Sequence, residues 1–417
     1  MEKIEEALKN FTLCNFCLGR LFSNFLTGLS NEERGKAVKL YLALKYDSIG
    51  KIEVKESNFF GIKFRNINID IKKEKCFICN DFFENEIKNI VEKILKISKG
   101  IEFDTFLIGT KVSEEIKNRE KIVFEIFGKS NVETINNDIN REVGKILEKK
   151  INKKFSRENP DIVFMIELKN FDVKMKIRSI FIFGMYKKLV RGIPQAKWLC
   201  KNCKGKGCSI CNYKGKNYRT SVQEIIEKPL LKAFKAEKSK FSGAGREDVD
   251  VRCLSYRPFC IEIINPRKRK VDIKKIKSKS KIVKFKLIKV VDRKFVKFLK
   301  ESKFDKEYVA IVDFENEIKK DLLKDLKVLE KVEINQLTPL RVLHRRAEKL
   351  RKKKVRKISY KILSKKKLKL KIVAEHGLYI KELIHGDNNR TVPSVAQILN
   401  NKVKKIELDV VKINHSL

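Results

Sequence analysis

The decapeptide Gly243-Ala244-Gly245-Arg246-Glu247-Asp248-Val249-Asp250-Val251-Arg252 carries the residue types and spacing best suited to chemistry. Its glycines suit a tight turn, and an arginine and an aspartate follow two residues apart. Val249 and Val251 then alternate with charged residues, which predicts a half-buried strand over residues 249–254. An arginine and a carboxylate are therefore expected at a turn feeding a strand, where rigid backbone can fix both. A carboxylate held beside a cation stays ionised, as a nucleophile or base requires. A lone R-x-D is more often a surface ion pair, so the rest of the chain must decide.

The chain has 417 residues, enough for roughly two to four domains of about 150 residues each. A hydrophobic fraction of 42% supports sizeable cores and excludes a disordered polycation. Against 53 Asp and Glu stand 97 Lys and Arg, a formal net charge of +44, which predicts a polyanionic partner. Nucleic acid is the expected partner. An anionic membrane is the competitor, yet no apolar run approaches the roughly 18 residues of a spanning helix. The opening Met1-Glu2-Lys3-Ile4-Glu5-Glu6 has no signal-peptide pattern, so a cytoplasmic location is expected.

Eight of the ten cysteines form four C-x2-C pairs: Cys14/Cys17, Cys76/Cys79, Cys200/Cys203 and Cys208/Cys211. In a cytosolic chain this reads as structural zinc, in one or two sites, rather than disulfide. The first two pairs can close one tetrahedral site across residues 1–85, or be two unrelated pairs of idle thiols. The compact Cys200-x2-Cys203-x4-Cys208-x2-Cys211, with Gly205 and Gly207 inside, reads as a closed four-cysteine zinc site. Lys201, Lys204, Lys206, Lys214 and Lys216 make it a basic knuckle. Cys253 and Cys260 are expected to be small core residues.

These residues need elements to position them. Between the first two knuckles, an amphipathic pattern predicts a helix over 31–46. A helix over 84–98, strands over 106–108 and 121–126, a helix over 135–151 and a strand over 161–166 follow. The run 173–183 is expected to complete this small α/β unit. Residues 184–195 mix glycine, an aromatic ring and cations, which suits backbone approach to phosphate with a stacking ring, or simply a basic loop. Beyond residue 220, strands are expected over 249–254, 260–264, 282–291, 308–314 and 367–373, the last a Lys/Leu alternation. Helices are expected over 222–236, 314–326 and 379–384. The basic run 345–357 is expected to be a solvated face that lines an RNA groove. Strands outnumber helices without a βαβ repeat, so an α+β domain with a mixed or antiparallel sheet is expected.

Familiar cofactor motifs are missing. There is no G-x4-G-K-[ST] loop, no G-x-G-x-x-G after a strand and no H-E-x-x-H. His344, His376, His385 and His415 are dispersed. Asn265-Pro266-Arg267 lacks the second proline and the aromatic residue of the base-methyltransferase motif. What remains is side-chain chemistry on a polyanion, using a carboxylate.

Ordered blocks along the chain resemble one family, the archaeal-type tRNA pseudouridine(54/55) synthases. They are the early C-x-x-C, Asn140-Arg141-Glu142-Val143-Gly144-Lys145, and Lys187-Lys188-Leu189-Val190-Arg191-Gly192-Ile193-Pro194-Gln195 running into the knuckle. Next come Phe241-Ser242-Gly243-Ala244-Gly245-Arg246-Glu247-Asp248, Arg257-Pro258-Phe259, and Gln336-Leu337-Thr338-Pro339-Leu340-Arg341-Val342-Leu343-His344-Arg345-Arg346. Tyr379-Ile380-Lys381-Glu382, His385-Gly386-Asp387 and Arg390-Thr391-Val392-Pro393-Ser394 complete the series. Departures from the family pattern are Ser242 for a usual His, a shortened 254–257 without glycines, Leu378 for Thr and Asn389 for Gly.

The resemblance implies cofactor-free isomerisation of uridine to pseudouridine at positions 54 and 55 of the tRNA T-loop. It implies a C-terminal pseudouridine synthase fold, a mixed or antiparallel sheet with flanking helices. It also implies an N-terminal zinc-containing, THUMP-like α/β RNA-binding region. The corresponding layout is a zinc-binding part over 1–85, a THUMP-like domain over 86–198, the knuckle over 199–218 and the catalytic domain over 219–417. In that family the aspartate of the Gly-Arg-x-Asp turn is the catalytic nucleophile, which falls on Asp248. Tyr308, Tyr379 and Arg246 are implied to contact substrate, and Lys381 to be the cation beside the aspartate. The target base must flip out of its stack, and Asp248 then attacks either the base or the sugar C1′. Asp250, expected on the same face as Asp248, serves as its comparison. The implied partner is tRNA at its T-loop and elbow, with no membrane, and the chain is expected to act as a monomer. Two other classes compete: a non-catalytic tRNA-binding or chaperone protein, and a THUMP-bearing methyltransferase or thiolation enzyme, which the missing cofactor loops disfavour.

Overall fold

The computed structural model describes residues 2–128 and 132–414, so His415 lies outside it. Two compact units divide the chain, Met1–Arg178 and Ser179–Leu417.

In the first unit, Ser30 opens the helix Asn31–Ile49 with a reciprocal cap: its Oγ accepts from Glu33 N–H, and Glu33 returns a bond to the Ser30 N–H. Gly50, at φ +72°, closes it in the left-handed region. Four strands follow: β1 (Thr105–Lys111), β2 (Lys154–Phe155), β3 (Ile162–Glu167) and β4 (Asp172–Ile177). Their order is β2-β1-β3-β4, with β2, β1 and β3 parallel and β4 antiparallel to β3. Phe106, Ile108, Ile162, Phe164 and Ile166 alternate into the core with Ile139, Val143 and Leu147 of the helix Ile135–Ile151.

One expected strand is helix. Residues 121–126 lie within Glu114–Phe127, capped by the Ser113 side chain. Glu114 and Glu115 in the first turn suit the positive helix end. The adjacent apolar residues look strand-like, but only Val123 and Phe124 of that run are buried.

The run 173–183 is also split. It comprises β4 and the start of β5 (Ile180–Lys188), and β5 pairs with two strands of the second unit. The compact units therefore part at Arg178/Ser179, ahead of residue 198.

The second unit holds a ten-stranded sheet. Besides β5 it contains β6 (Lys238–Gly243), β7 (Arg252–Ile264), β8 (Val283–Val291), β9 (Lys306–Phe314) and β10 (Glu333–Gln336). It is completed by β11 (Arg351–Ser364), β12 (Lys367–Ala374), β13 (Thr391–Val392) and β14 (Val403–Ile413). The order is β13-β10-β11-β12-β9-β14-β7-β5-β8, with β6 on β7. Every pairing is antiparallel except β14 with β7, where Asp409 lies beside Arg252 and Val410 beside Cys253. The Lys/Leu alternation holds: Leu368, Leu370 and Ile372 are buried while Lys369 and Lys371 face solvent. Cys253 and Cys260 are core residues as expected. On one face the helix Val222–Phe234 buries Val222, Ile226, Leu230 and Phe234 against Ile182, Ile261 and Ile263.

Three expectations shift. The strand expected from residue 249 begins at Arg252, because Val249 and Asp250 form a turn. The helix expected over 314–326 is a 3₁₀ segment, Lys320–Glu330, since Phe314 still belongs to β9. Most of the basic run 345–357 is strand, the start of β11, whose side chains are largely exposed and so carry little alternation.

Candidate active site and metal centres

Asp248 sits in the turn between β6 and β7, and this turn is tied down from several sides. The Ala244 N–H donates to Pro258 O at 2.9 Å. Gly245 adopts φ +77°, and a side chain at Gly243 would strike the Gln195 amide at 2.7 Å. Beneath the turn, Glu247 is buried and accepts from the Tyr186 hydroxyl at 2.9 and 3.0 Å. Arg257, also buried, pairs with Glu247 at 2.9 Å and donates to Ala244 O at 3.0 Å. Glu247 is therefore the anchor, and Asp248 is the carboxylate that faces outward.

The segment 184–195 has a different role from the phosphate loop considered for it. Lys188 is fully buried and donates to the carbonyls of Ile193 (2.9 Å), Asp248 (2.9 Å) and Val249 (3.2 Å). Arg191 donates to Asp250 O at 2.8 Å and reaches Asp409 at 2.7 Å. Gln195 donates to Gly245 O at 3.0 Å and to the Tyr186 hydroxyl at 2.7 Å. Each of the three donates to a backbone carbonyl of the turn that carries Asp248.

The facing wall of the cleft comes from β9 and the loops beside it. Tyr308 lies on β9 between β12 and β14. Burial raises its phenol to about 12, even though Arg257 pulls it down, so it keeps its proton at neutral pH. Tyr379 caps the helix Ile380–His385, its backbone clamped by buried Gln336 through bonds of 2.8 and 3.0 Å. Arg346 donates to the Tyr379 hydroxyl at 2.7 Å. Lys381, in the helix's first turn, lies 3.5 Å from one Asp248 oxygen. Arg341 donates to the other at 2.8 Å. Arg246, Asp248, Tyr308, Tyr379 and Lys381 thus line one cleft together, with Arg341 and Arg346 added.

Arg246 stacks its guanidinium on the Trp198 ring at 5.0 Å, and Arg341 and Lys381 lie against Asp248. One expectation about this cleft changes. Asp250 is no inert comparison, because Lys381 sits 2.7 Å from both its oxygens. Burial pushes its carboxyl up, but Lys381 outweighs that and holds it below the ordinary aspartate value. Asp250 therefore shares the lysine with Asp248.

Solved structures of similar topology include a Cbf5-Nop10-Gar1 complex, with TM-score 0.29, 17% identity and coverage of 55% of this chain and 48% of that one. That superposition is too loose to carry weight. The family comparisons are decisive. The model described as "Pus10, C-terminal" matches residues 181–414, and "Pus10 THUMP domain, archaeal" matches 90–167. The chain belongs to the Pus10 family. A relative from Methanocaldococcus jannaschii called tRNA pseudouridine synthase Pus10 is 42% identical, covering 98% of this chain and 93% of its own. One of the same name from Pyrococcus furiosus is 36% identical over 99% and 97%.

Arg341 is the Pus10 residue that reading for motifs misses. It bonds buried Glu382 at 2.6 Å while holding Asp248 at 2.8 Å, and stacks over Tyr379 at 5.8 Å. Burial alone would lower its pKa, but Glu382 and Asp248 raise it, so it is a fixed cation. It stands 93 residues from Asp248, and no local pattern signals that pairing; its only trace is the Leu-Thr-Pro-Leu-Arg block. Arg341→Gln is expected to lower the single-turnover rate about a hundredfold, the effect of losing one preorganised charge partner. A rate within a factor of about three of wild type would remove it from the machinery.

Glu247 gives a prediction on stability instead. Glu247→Ala leaves Arg257 buried and unpaired, which costs about 3–5 kcal/mol. Urea unfolding of the second unit is expected to show a lowered midpoint with an unchanged slope.

Both cysteine groups converge. Within each, all four Sγ atoms lie within 4.8 Å of one another. Four thiolates at about 2.3 Å from a tetrahedral zinc are separated by roughly 3.8 Å. Measured separations are 3.6 Å for Cys14–Cys79, and 3.9, 3.8 and 3.7 Å for Cys200–Cys208, Cys203–Cys211 and Cys208–Cys211. Backbone N–H groups point at the sulfurs, as anionic thiolates require: Gly207 to Cys203 at 3.1 Å and Gly215 to Cys211 at 3.2 Å. Either group can hold a metal ion. Cys14, Cys17, Cys76 and Cys79 are buried, whereas three of the four knuckle cysteines are partly exposed.

Proposed function

We propose that this protein is a tRNA pseudouridine synthase acting on uridines 54 and 55 of the T-loop, with Asp248 as nucleophile. The observation that carries it is one cleft joining an aspartate, two cations placed on its oxygens and two tyrosines, drawn from four segments of the chain. Family membership and the names of its relatives support the reaction class and the RNA, and the family resemblance supports the two positions.

The chemistry follows from the side chains. A flipped uridine costs a few kcal/mol to unstack, which contacts in the cleft must offset. Tyr308, still protonated, offers a ring face to uracil and a hydroxyl to its polar edge. Arg341 and Lys381 hold and aim the Asp248 side chain. Asp248 attacks the base or the sugar C1′, and the N1–C1′ bond breaks. Uracil rotates in place, C5 bonds to C1′, the bond to Asp248 breaks to return its carboxylate, and the C5 hydrogen leaves as a proton while N1 gains one. Reactant and product are isomers, so no redox partner or group donor is needed.

The zinc ions belong to the scaffold in this reading, one in each cysteine group, and hold no reacting atom. The part of the first unit from residue 86 to 178 and the two zinc parts supply RNA affinity to a monomeric, cytoplasmic enzyme. Release of tritium from T-loop tRNA labelled at uridine C5 tests the whole. Wild-type protein is expected to release it without added cofactor. Binding of tRNA with no release would leave a non-catalytic tRNA-binding protein.

A further inference from the structure

The four-cysteine knuckle holds two large apolar side chains out in solvent, for which the fold has no use. Ile210 is 76% exposed and Tyr213 79% exposed. Tyr213 also adopts φ +59°, a left-handed conformation uncommon for a bulky residue. It is held there by its own N–H on Cys208 O at 2.8 Å and by the Lys214 N–H on Cys211 O at 3.0 Å. Asparagine or glycine would take that backbone at less cost, and the ring gains no burial in return. Around it Lys201, Lys204, Lys206 and Lys214 are exposed, and none has a carboxylate partner among the described residues. Lys216, at the base, pairs with Glu224 instead.

The knuckle stands on the active-site wall. Leu199 and Lys216 bridge its base, Trp198 packs edge-on against Tyr218 at 5.4 Å, and Arg246 of the cleft lies over Trp198. An exposed, preorganised ring amid unpaired cations, next to a cleft that takes a flipped base, matches single-stranded nucleic acid. Cations hold the backbone and the ring takes a base face.

We propose that the knuckle tip is a stacking platform on which Tyr213 receives an unpaired base of the substrate RNA, outside the catalytic cleft. This rests on the reading of the substrate as tRNA. Its test uses Tyr213→Asn, which suits the left-handed backbone, and Tyr213→Phe, which keeps the ring.

In the full-length protein, Tyr213→Asn is expected to raise the tRNA Kd about tenfold, within the range for removing one stacking ring. Melting temperature and metal content are expected to stay at wild-type values. Tyr213→Phe is expected to bind as wild type. Wild-type affinity in the Tyr213→Asn variant overturns the proposal and points to a protein partner for the knuckle. Equal weakening by Tyr213→Phe overturns it in favour of a hydroxyl contact. Weakening found only together with lost metal overturns it as a folding effect. The two readings fail separately: if wild type binds tRNA but makes no pseudouridine, the isomerase reading falls and the Kd series still reports on Tyr213.

Discussion

Asp248→Asn will abolish tritium release from C5-labelled tRNA, by more than about a thousandfold, while tRNA affinity stays largely unchanged. The amide keeps the shape of the carboxylate but has neither its charge nor its nucleophilicity. The Asp248 side chain is 29% exposed and anchors no core, so folding survives the change. Arg341 and Lys381 remain in place, since Glu382 and Asp250 still hold them. Asp250→Asn should slow the reaction far less, acting only by loosening Lys381. An Asp248→Asn protein retaining a tenth of wild-type activity, or an Asp250→Asn protein as damaged as it, would refute the assignment.

Cys17→Ser will remove one zinc per chain and unfold the first unit. Cys14 and Cys17 belong to one short segment and Cys76 and Cys79 to another, and their sulfurs sit inside the same apolar cluster. Structural zinc contributes folding free energy outright, on the order of 10 kcal/mol in small domains, which exceeds the net stability of most domains. Loss of the first site should thus appear as lost helix signal and a lowered unfolding midpoint. Cys208→Ser should remove the other zinc and only loosen the knuckle, because three of its cysteines are partly exposed and the group sits apart from the main core clusters. Metal content near two per wild-type chain is the expected baseline, and fewer than two would mean that one site is misassigned. A Cys17→Ser protein that keeps its metal and its fold would exclude the first site.

How much of this is legible in the sequence follows the range of each signal. The two cysteine groups are readable because ligand spacing is a local rule. The helix Ile135–Ile151 matches its period to the residue. Asp248 can be found from the turn, but the reason it differs from Glu247 cannot. Glu247 is buried by Tyr186 and Arg257, which lie 61 and 10 residues away. The helix through 121–126 escapes because crowded apolar residues mimic a strand when the cap at Ser113 is overlooked. β11 escapes because an exposed strand rich in lysine alternates nothing. Arg341 and Lys188 act through partners that only the sheet brings near. Among the departures from the family pattern, Asn389 adopts φ +64°, so it fills the backbone role of the glycine it replaces.

The one parallel pairing of the second unit's sheet, among the described residues, has a consequence for how the enzyme comes into being. β14 separates two groups of strands: β7 with β5, β6 and β8 carries Asp248, while β9 with β10 to β13 carries the Tyr308 and Lys381 side. Among the described residues, no hydrogen-bonded ladder joins these groups except through β14, which follows every other described strand in the chain. A nascent chain can therefore fold each half while Asp248 and Tyr308 remain unacquainted. The cleft is complete only when translation has delivered the strand that sews them together.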